Sequence, residues 1–221
     1  MMNKKDIAAT AIKAQGLLPL FYHDDVTICI AVAKALYDAG VTTIEFTNRG
    51  VNALKNFEAL IKERDAKMPQ LLLGIGTITS NKEAADFIAL GADFLISPFF
   101  DDEVCAVAIE HNILWIPGCM TPTEIHTAKK AGCTLIKLFP GNALGAGFAE
   151  AVLPLFKGLD FVVTGGVEAN EQSISQWFKA GVVGVGMGSK LITKEILATS
   201  NFEQLKNSTA NVLNIINTVK I

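Results

Sequence analysis

The chain has 221 residues, 50% of them hydrophobic, with a formal net charge of −3 at pH 7 and a pI near 5.6. These values are typical of one water-soluble domain with a large core, and they disfavour nucleic-acid binding because the basic residues are scattered among more numerous acids. Apolar runs stay strand-sized and the first residues lack the apolar core of a signal peptide, so we expect a cytoplasmic protein that contacts no membrane.

Helical and strand patterns alternate along the chain. An amphipathic pattern over 6–15 predicts a leading helix that ends at Gly16. Short apolar segments then predict strands at 17–22, 42–47, 71–76, 94–97, 114–117, 135–139, 161–164 and 182–186. Amphipathic segments predict helices at 26–38, 53–66, 82–90, 102–111, 122–131, 148–156, 170–180 and 201–221.

Eight strands, each followed by a helix, favour a (β/α)8 TIM barrel of the α/β class over a doubly wound sheet, which usually has fewer strands. No linker or change of composition divides the sequence, so residues 1–221 are predicted to form a single barrel domain. The extra N-terminal helix is expected to cover the N-terminal end of the barrel. The last helix is expected to pack on the outside.

Cysteine and histidine do not group here as they do in bridged or metal-binding proteins. No pair has the CxxC, HxH or HExxH spacing of a metal site. We therefore expect buried thiols in a reducing compartment, with neither a metal nor a cofactor. The residues concerned are Cys29, Cys105, Cys119, Cys133, His23, His111 and His126.

One predicted strand, 135–139, is apolar except for Lys137. Burying an ammonium group costs several kcal/mol unless the group is paired or loses its proton. Taken alone, Lys137 is better explained by an edge strand, or by a side chain that reaches past the strand end to water. If the strand is fully enclosed, the lysine becomes a neutral amine, which is a nucleophile toward ketones.

A second predicted strand, 42–47, contains a charged residue in a similar position. Alternation of side chains places Glu45 on the opposite face from Ile44 and Phe46. If this face and that of Lys137 both line a barrel, a carboxylate and an amine converge. Burial and the nearby Arg49 are expected to lower the pKa of Lys137, whereas an ionised Glu45 would oppose that shift.

Small and polar residues follow most of the predicted strands, at the end where barrel enzymes place their chemistry. Gly165 and Gly166 follow the seventh strand, and Gly188 and Ser189 follow the eighth. Barrels commonly hold phosphate after these two strands, on backbone amides and a helix N-terminus. The alternative is that these residues only form tight turns.

Seven motifs occur in a fixed order along nearly the whole chain. They are Glu45 with Arg49, Gly74-Ile75-Gly76-Thr77, Ser97-Pro98, Ile116-Pro117-Gly118, Lys137-Leu138-Phe139-Pro140, Thr164-Gly165-Gly166-Val167 and Gly186-Met187-Gly188-Ser189. Together they resemble the 2-keto-3-deoxy-6-phosphogluconate (KDPG) / 4-hydroxy-2-oxoglutarate (KHG) aldolases, which are class I barrel enzymes.

The resemblance implies a lyase that cleaves KDPG, or a close 2-keto-3-deoxy acid, to pyruvate and glyceraldehyde 3-phosphate. It could also cleave KHG to pyruvate and glyoxylate. Lys137 would form the Schiff base and Glu45 would transfer protons. The resemblance further implies a homotrimer, with a small keto acid as the ligand. The implied binding residues are Arg49, Thr77 and Pro98 for the pyruvate end, and Gly165, Gly166, Gly188 and Ser189 for phosphate.

Two positions depart from the family pattern. Phe99 stands where many relatives have glycine after Ser-Pro, and Tyr22-His23 stands where many have a basic residue. Both are expected at the mouth of the site, where they bear on which aldehyde half and which stereochemistry the pocket prefers.

Two alternative functions also fit a barrel with these strand ends. One is a phosphate-binding isomerase or a thiamin-phosphate-synthase-like enzyme, which would leave the buried Lys137 unexplained. The other is a non-catalytic barrel that binds a sugar acid, in which Lys137 and Glu45 are only a buried ion pair.

Overall fold

The computed structural model describes residues 3–220 of the chain. Short strands alternate with helices through that range. The strands are β1 (Leu17–Phe21), β2 (Thr43–Thr47), β3 (Leu72–Gly76), β4 (Phe94–Ile96), β5 (Leu114–Ile116), β6 (Gly118–Cys119), β7 (Leu135–Leu138), β8 (Asp160–Thr164) and β9 (Gly184–Met187).

The helices cover the outside of these strands, apart from the first. They are α1 (Lys4–Gln15), α2 (Val26–Asp38), α3 (Ala53–Lys67), α4 (Asn81–Ala89), α5 (Asp102–Glu110), α6 (Pro122–Lys130), α7 (Gly141–Leu144), α8 (Ala146–Val152), α9 (Glu171–Lys179), α10 (Lys194–Thr199) and α11 (Phe202–Val219). Most begin after a side chain that accepts a hydrogen bond from an amide of the first turn. These capping residues are Asn3, Asp25, Ser80, Asp101, Thr121, Asn170, Thr193 and Asn201.

All strand pairs are parallel, in the order β5-β4-β3-β2-β1-β9-β8-β7-β6. The ring closes at Pro117, the only residue between β5 and β6, because β5 pairs with β4 and β6 pairs with β7. Proline lacks the N–H that a continuous strand would use. Its carbonyl still accepts from the Lys137 amide at 2.9 Å. The predicted barrel is confirmed, with its fifth strand split in two.

The core has two layers, one inside the ring of strands and one between the strands and the helices. The leading helix α1 belongs to the inner layer, since Ala8 and Ile12 pack there with Leu18 and Phe94. The Gln15 side chain, at the end of α1, accepts hydrogen bonds from the amides of Thr42 and Thr43, at 2.5 and 3.1 Å. As predicted, this helix closes the N-terminal end of the barrel.

The predicted helix at 148–156 is wrong in its bounds. Helix α8 begins earlier, at Ala146, after Gly145 at φ 73° separates it from α7, and it ends at Val152, where a 3₁₀ turn at Leu153–Leu155 that contains Pro154 follows. A left-handed glycine and a proline both interrupt an α-helix. Helix α10 was not predicted from the sequence.

The last predicted helix, 201–221, is α11, which packs outside the barrel against α2 and α9. Ile221 lies outside the described residues. Among the helices of residues 3–220, none combines the length and the apolar character needed to cross a membrane. The four cysteines are buried, as predicted.

The inner layer is tightly packed where β3 faces β4. A methyl group added at Gly74 would collide with the enclosed ring of Phe94. We expect Gly74→Ala to lower the free energy of unfolding by about 1–3 kcal/mol through overpacking. Gly147→Ala is the control, because a methyl group there meets nothing within 4 Å and alanine favours the helix. Urea denaturation measures both, and equal stability of the two variants would contradict this packing.

Candidate active site

Lys137 lies in the middle of β7 and points into the barrel. Its inner-face neighbour Leu135 belongs to the inner core, whereas Ile136 and Leu138 belong to the outer one. Lys137 is only 5% exposed. Its Nζ atom lies 4.8 Å from the centre of the Phe139 ring. The strand is flanked by β6 and β8, so Lys137 is not on a sheet edge.

Glu45 lies in the middle of β2 and also points into the barrel, since its neighbours Ile44 and Phe46 belong to the outer core. It is 1% exposed. Its carboxylate lies over Gly76, where an added methyl group would collide with it. Oε2 has no hydrogen-bond partner within residues 3–220. The carboxylate therefore has an oxygen free to accept a proton.

The ring order places β2 and β7 on opposite sides of the barrel, four strand positions apart in either direction when β5 and β6 count as one. Side chains on the inner faces of opposite strands point toward the same central space. The two charges are close enough to influence each other's pKa. Closure of the barrel therefore brings together two residues that are 92 positions apart in the sequence.

Burial is the main influence on both ionisable groups. It lowers the pKa of Lys137, and Arg49 lowers it further, while Glu45 opposes the shift. Burial raises the pKa of Glu45, against the opposing charges of Lys137 and Arg49. The expected direction for Lys137 is confirmed. Both shifts favour the uncharged forms, which are a neutral amine on Lys137 and a protonated carboxyl group on Glu45.

Arg49 and Thr77 follow neighbouring strands. Strands β2 and β3 pair along their whole length, and the Asn48 amide donates to the Gly76 carbonyl at 2.8 Å just beyond them. Thr77 has φ 63°, a left-handed conformation that is rare for a β-branched residue. The Arg49 side chain is exposed, but its charge reaches both Lys137 and Glu45.

Pro98 follows β4 at the same end of the barrel. Its carbonyl lies directly against Gly118, so that a methyl group at Gly118 would collide with it. Gly118 is paired in register with Lys137. Pro98 is thus one strand removed from the lysine.

The four residues predicted to bind phosphate lie together. Thr164 and Gly186 are paired in register, so the segments that follow β8 and β9 are adjacent. Gly165 and Gly166 have φ 101° and 76°. The amides of Gly165, Gly166 and Ser189 make no backbone hydrogen bond within residues 3–220. These donors are therefore available to an anion.

Lys190, which follows Ser189, does not point into this group of donors. It pairs with Glu168 at 2.6 Å, and both side chains are half exposed. This contact joins residues that follow different strands, so the sequence pattern does not reveal it.

Thr164 is one residue that the sequence motifs contained but to which they assigned no role. It lies two residues after Val162, which belongs to the inner core, and so faces the interior. Its Oγ1 is buried and has no partner within residues 3–220. Gly186 leaves space for this hydroxyl. Alternation along the strand and the position of Thr164 at the strand end would have indicated from the sequence that its hydroxyl faces the site.

Phe99 and Tyr22, two of the three residues that depart from the family pattern, have different surroundings. Phe99 is about half exposed at the mouth. Tyr22 packs on Gly50 and lies 5.6 Å from the ring of Phe46, which belongs to the outer core. Tyr22 therefore supports the loop that carries Arg49.

Known proteins are similar to this chain over most of its length. The family model described as "KDPG and KHG aldolase" matches residues 8–208. The 2-dehydro-3-deoxy-phosphogluconate aldolase of Treponema pallidum (strain Nichols) is 28% identical over 207 residues, covering 93% of this chain and 96% of the relative. The 2-dehydro-3-deoxy-6-phosphogalactonate aldolase of Escherichia coli (strain K12) is 30% identical over 165 residues, covering 73% of this chain and 77% of the relative.

A solved structure is also similar to this chain in fold. The KDPG aldolase of Legionella pneumophila was crystallised with pyruvate captured as a covalent carbinolamine intermediate. It is 26% identical in sequence and superposes with a TM-score of 0.85, covering 93% of this chain and 97% of that chain.

The opposing influences on Lys137 can be separated by two substitutions. Glu45→Gln removes the anion that favours the ammonium form, so the pKa of Lys137 should fall further and the amine should react at lower pH. Arg49→Met removes a cation and should shift the same midpoint upward. The pH dependence of acylation at residue 137, followed by mass spectrometry with exposed Lys82 as reference, measures both. Shifts in the same direction would contradict the assignment of these charges.

Proposed function

This chain belongs to the KDPG and KHG aldolase family and is therefore an aldolase, a carbon–carbon lyase, and we propose that it cleaves KDPG or a close phosphorylated 2-keto-3-deoxy acid. The observation that carries the proposal is the buried Lys137 amine facing the Glu45 carboxylate across the barrel. An isomerase would leave this lysine unexplained, and a non-catalytic barrel would keep it only as part of a buried ion pair with Glu45. The products are pyruvate and glyceraldehyde 3-phosphate.

The first step of the proposed mechanism is attack by neutral Lys137 on the C2 ketone of the substrate. Burial supports this role because it lowers the pKa of Lys137 and so favours the unprotonated amine. The resulting carbinolamine loses water to give an iminium ion. This cation draws electrons from the bond between C3 and C4.

Glu45 is the proposed proton carrier. Its raised pKa makes the carboxylate a stronger base than an exposed one, and Oε2 is free to accept. Glu45 takes the proton of the C4 hydroxyl, directly or through a water, as the C3–C4 bond breaks. The aldehyde leaves and an enamine remains on Lys137. Glu45 returns the proton to C3, and hydrolysis releases pyruvate and the free amine.

The pyruvate end of the substrate is proposed to lie between Arg49, Thr77 and Pro98. A guanidinium group binds a carboxylate with two parallel hydrogen bonds, which fixes its orientation as well as its position. Arg49 follows β2, the strand that contains Glu45, and its charge lowers the pKa of both Lys137 and Glu45, which supports this assignment.

The phosphate end is proposed to lie on the amides of Gly165, Gly166 and Gly188 and on the amide and hydroxyl of Ser189. Donors without large side chains can approach a dianion closely. The orphaned hydroxyl of Thr164, between these donors and Lys137, is available to a hydroxyl group of the sugar chain.

We further propose that the protein forms a homotrimer and is located in the cytoplasm. Residues 1–221 are proposed to form a single domain. The loops after β2, β4 and β6 expose apolar side chains at the C-terminal end of the barrel: Val51, Phe99 and Met120. Exposed apolar groups of this kind are typical of protein–protein contacts. A phosphorylated substrate is consistent with the interior of the cell.

The lysine chemistry is tested by trapping. Incubation with pyruvate and borohydride should attach a reduced pyruvate unit to Lys137, detected by mass spectrometry of the digested protein. Lys137→Met should lose both labelling and aldolase activity, whereas the exposed Lys82→Met should keep both. Labelling at another lysine, or activity in Lys137→Met, would contradict the proposal.

The phosphate site is tested by comparing substrates. We expect kcat/KM for KDPG, or for its galactonate epimer, to exceed that for KHG, with part of the difference in kcat because remote binding energy orients the reacting carbons. Ser189→Asp should abolish the preference by placing a carboxylate against the dianion, while pyruvate trapping at Lys137 survives. Ser189→Ala is the control that keeps the amide. Equal kcat/KM values in the unmodified enzyme would show that these residues are only turns.

The trimer is tested in solution. Sedimentation at micromolar concentration should give the mass of three chains. Val51→Glu combined with Phe99→Glu should reduce that mass by placing charges in the apolar contact. Leu155→Glu is the control, because the exposure of Leu155 lies between that of Val51 and that of Phe99, but Leu155 is outside these loops. A mass of one chain for the unmodified protein would refute the trimer.

A further inference from the structure

Two loops at the mouth of the barrel are joined by one side chain. The loop after β2 contains Asn48 and Arg49, and the loop after β3 runs from Thr77 to Thr79. Glu83, in the first turn of α4, accepts from Asn48 Nδ2 at 2.9 Å through Oε1. Its Oε2 accepts from the Thr79 amide at 2.8 Å and from the Thr79 hydroxyl at 3.0 Å. Both carboxylate oxygens are therefore used, one for each loop.

These bonds go beyond what helix capping requires. The comparable residue at the start of α6 is Glu124, whose carboxylate bonds only to Met120 and Thr121 in its own segment. At the start of α4, the bond from Asn48 to Glu83 instead spans 35 residues and connects two strands' loops. A capping role accounts for the Thr79 bonds but not for the Asn48 bond.

The loop that Glu83 holds contains a strained residue. Thr77 has φ 63°, a conformation that costs about 1–3 kcal/mol and persists only where neighbouring contacts enforce it. On one side of Thr77 the Gly76 carbonyl accepts from the Asn48 amide, and on the other the Ile78 amide donates to the Ile96 carbonyl. Glu83 adds to both constraints, since it binds the Asn48 side chain and the residue after Ile78.

We propose that Glu83 is a positioning residue for the pyruvate end of the substrate. It touches neither the substrate nor Lys137. By bonding to Asn48 and Thr79 at once, it sets the separation of the two loops from which Arg49 and Thr77 grip the carboxylate. The inference rests on the proposed function, because it needs a keto acid bound by those two residues.

Loss of this link is expected to affect binding of the carboxylate selectively. A misplacement of about 1 Å at a reacting centre can reduce a rate about 100-fold. We expect Glu83→Ala to raise the KM for the keto acid about tenfold or more. Glu83→Gln should keep the KM close to that of the unmodified enzyme. Its amide oxygen can accept from Thr79, and its NH2 group can donate to the oxygen of a flipped Asn48 amide.

The test compares two ketones that differ only in the carboxylate. Pyruvate and acetone both form a Schiff base with a reactive lysine, and borohydride traps each at residue 137. In Glu83→Ala the trapping rate of pyruvate should fall about tenfold or more, while that of acetone stays the same. Glu124→Ala, which removes the comparable capping carboxylate, should change neither rate. In the double variant Arg49→Ala with Glu83→Ala, the loss of activation free energy for pyruvate trapping should be smaller than the sum of the losses in the two single variants.

Each other outcome overturns the inference. Equal slowing with both ketones would mean that Glu83 only stabilises the fold, and no slowing with either would mean that it positions nothing. If Glu83→Ala does not fold, Asn48→Ala removes the same link from the other side and must show the same selective loss. If the unmodified protein traps neither ketone at Lys137, the proposed function itself fails, and the role of Glu83 fails with it.

Discussion

Burial of the Lys137 amine within a closed ring of strands sets the conditions that the rest of the site must meet. An ammonium group in that position would be poorly hydrated, with the Phe139 ring as a weak partner, so burial favours the neutral amine. Arg49 reinforces the effect, and Glu45 limits it. The same enclosure raises the pKa of Glu45. One environment thus prepares a nucleophile and a base, because burial penalises the charged form of each.

Closure of the barrel is what makes this enclosure possible. The fifth predicted strand is divided at Pro117: the part before it, β5, pairs with β4, and the part after it, β6, pairs with β7. The missing proline N–H marks the change, while the proline carbonyl still binds the Lys137 amide. Glycines on the inner face then leave space for the polar groups: Gly76 for Glu45, and Gly186 for Thr164. A bulkier residue at either position would displace the group that it accommodates.

Carboxylates outside the barrel organise its mouth. Glu83 joins the loops after β2 and β3, and Glu168 holds Lys190 beside the glycines after β8 and β9. The first is bonded to neutral donors and fixes geometry, whereas the second pairs with a half-exposed cation and modulates charge. Ion pairs exposed to this extent are weak, so the contact between Lys190 and Glu168 contributes little to stability.

The sequence by itself determined the order of the elements and the faces of the strands, because helical and strand periodicities are local. Alternation placed Glu45 on the opposite face from Ile44 and Phe46, but its convergence with Lys137 depended on the barrel hypothesis; the motifs around both residues indicated the family. Only the tertiary structure decided that their strands are opposite each other, that Pro117 divides a strand, and that Lys190 pairs with Glu168. These features depend on contacts between residues far apart in the chain, and no local pattern encodes which distant groups will meet when the ring closes.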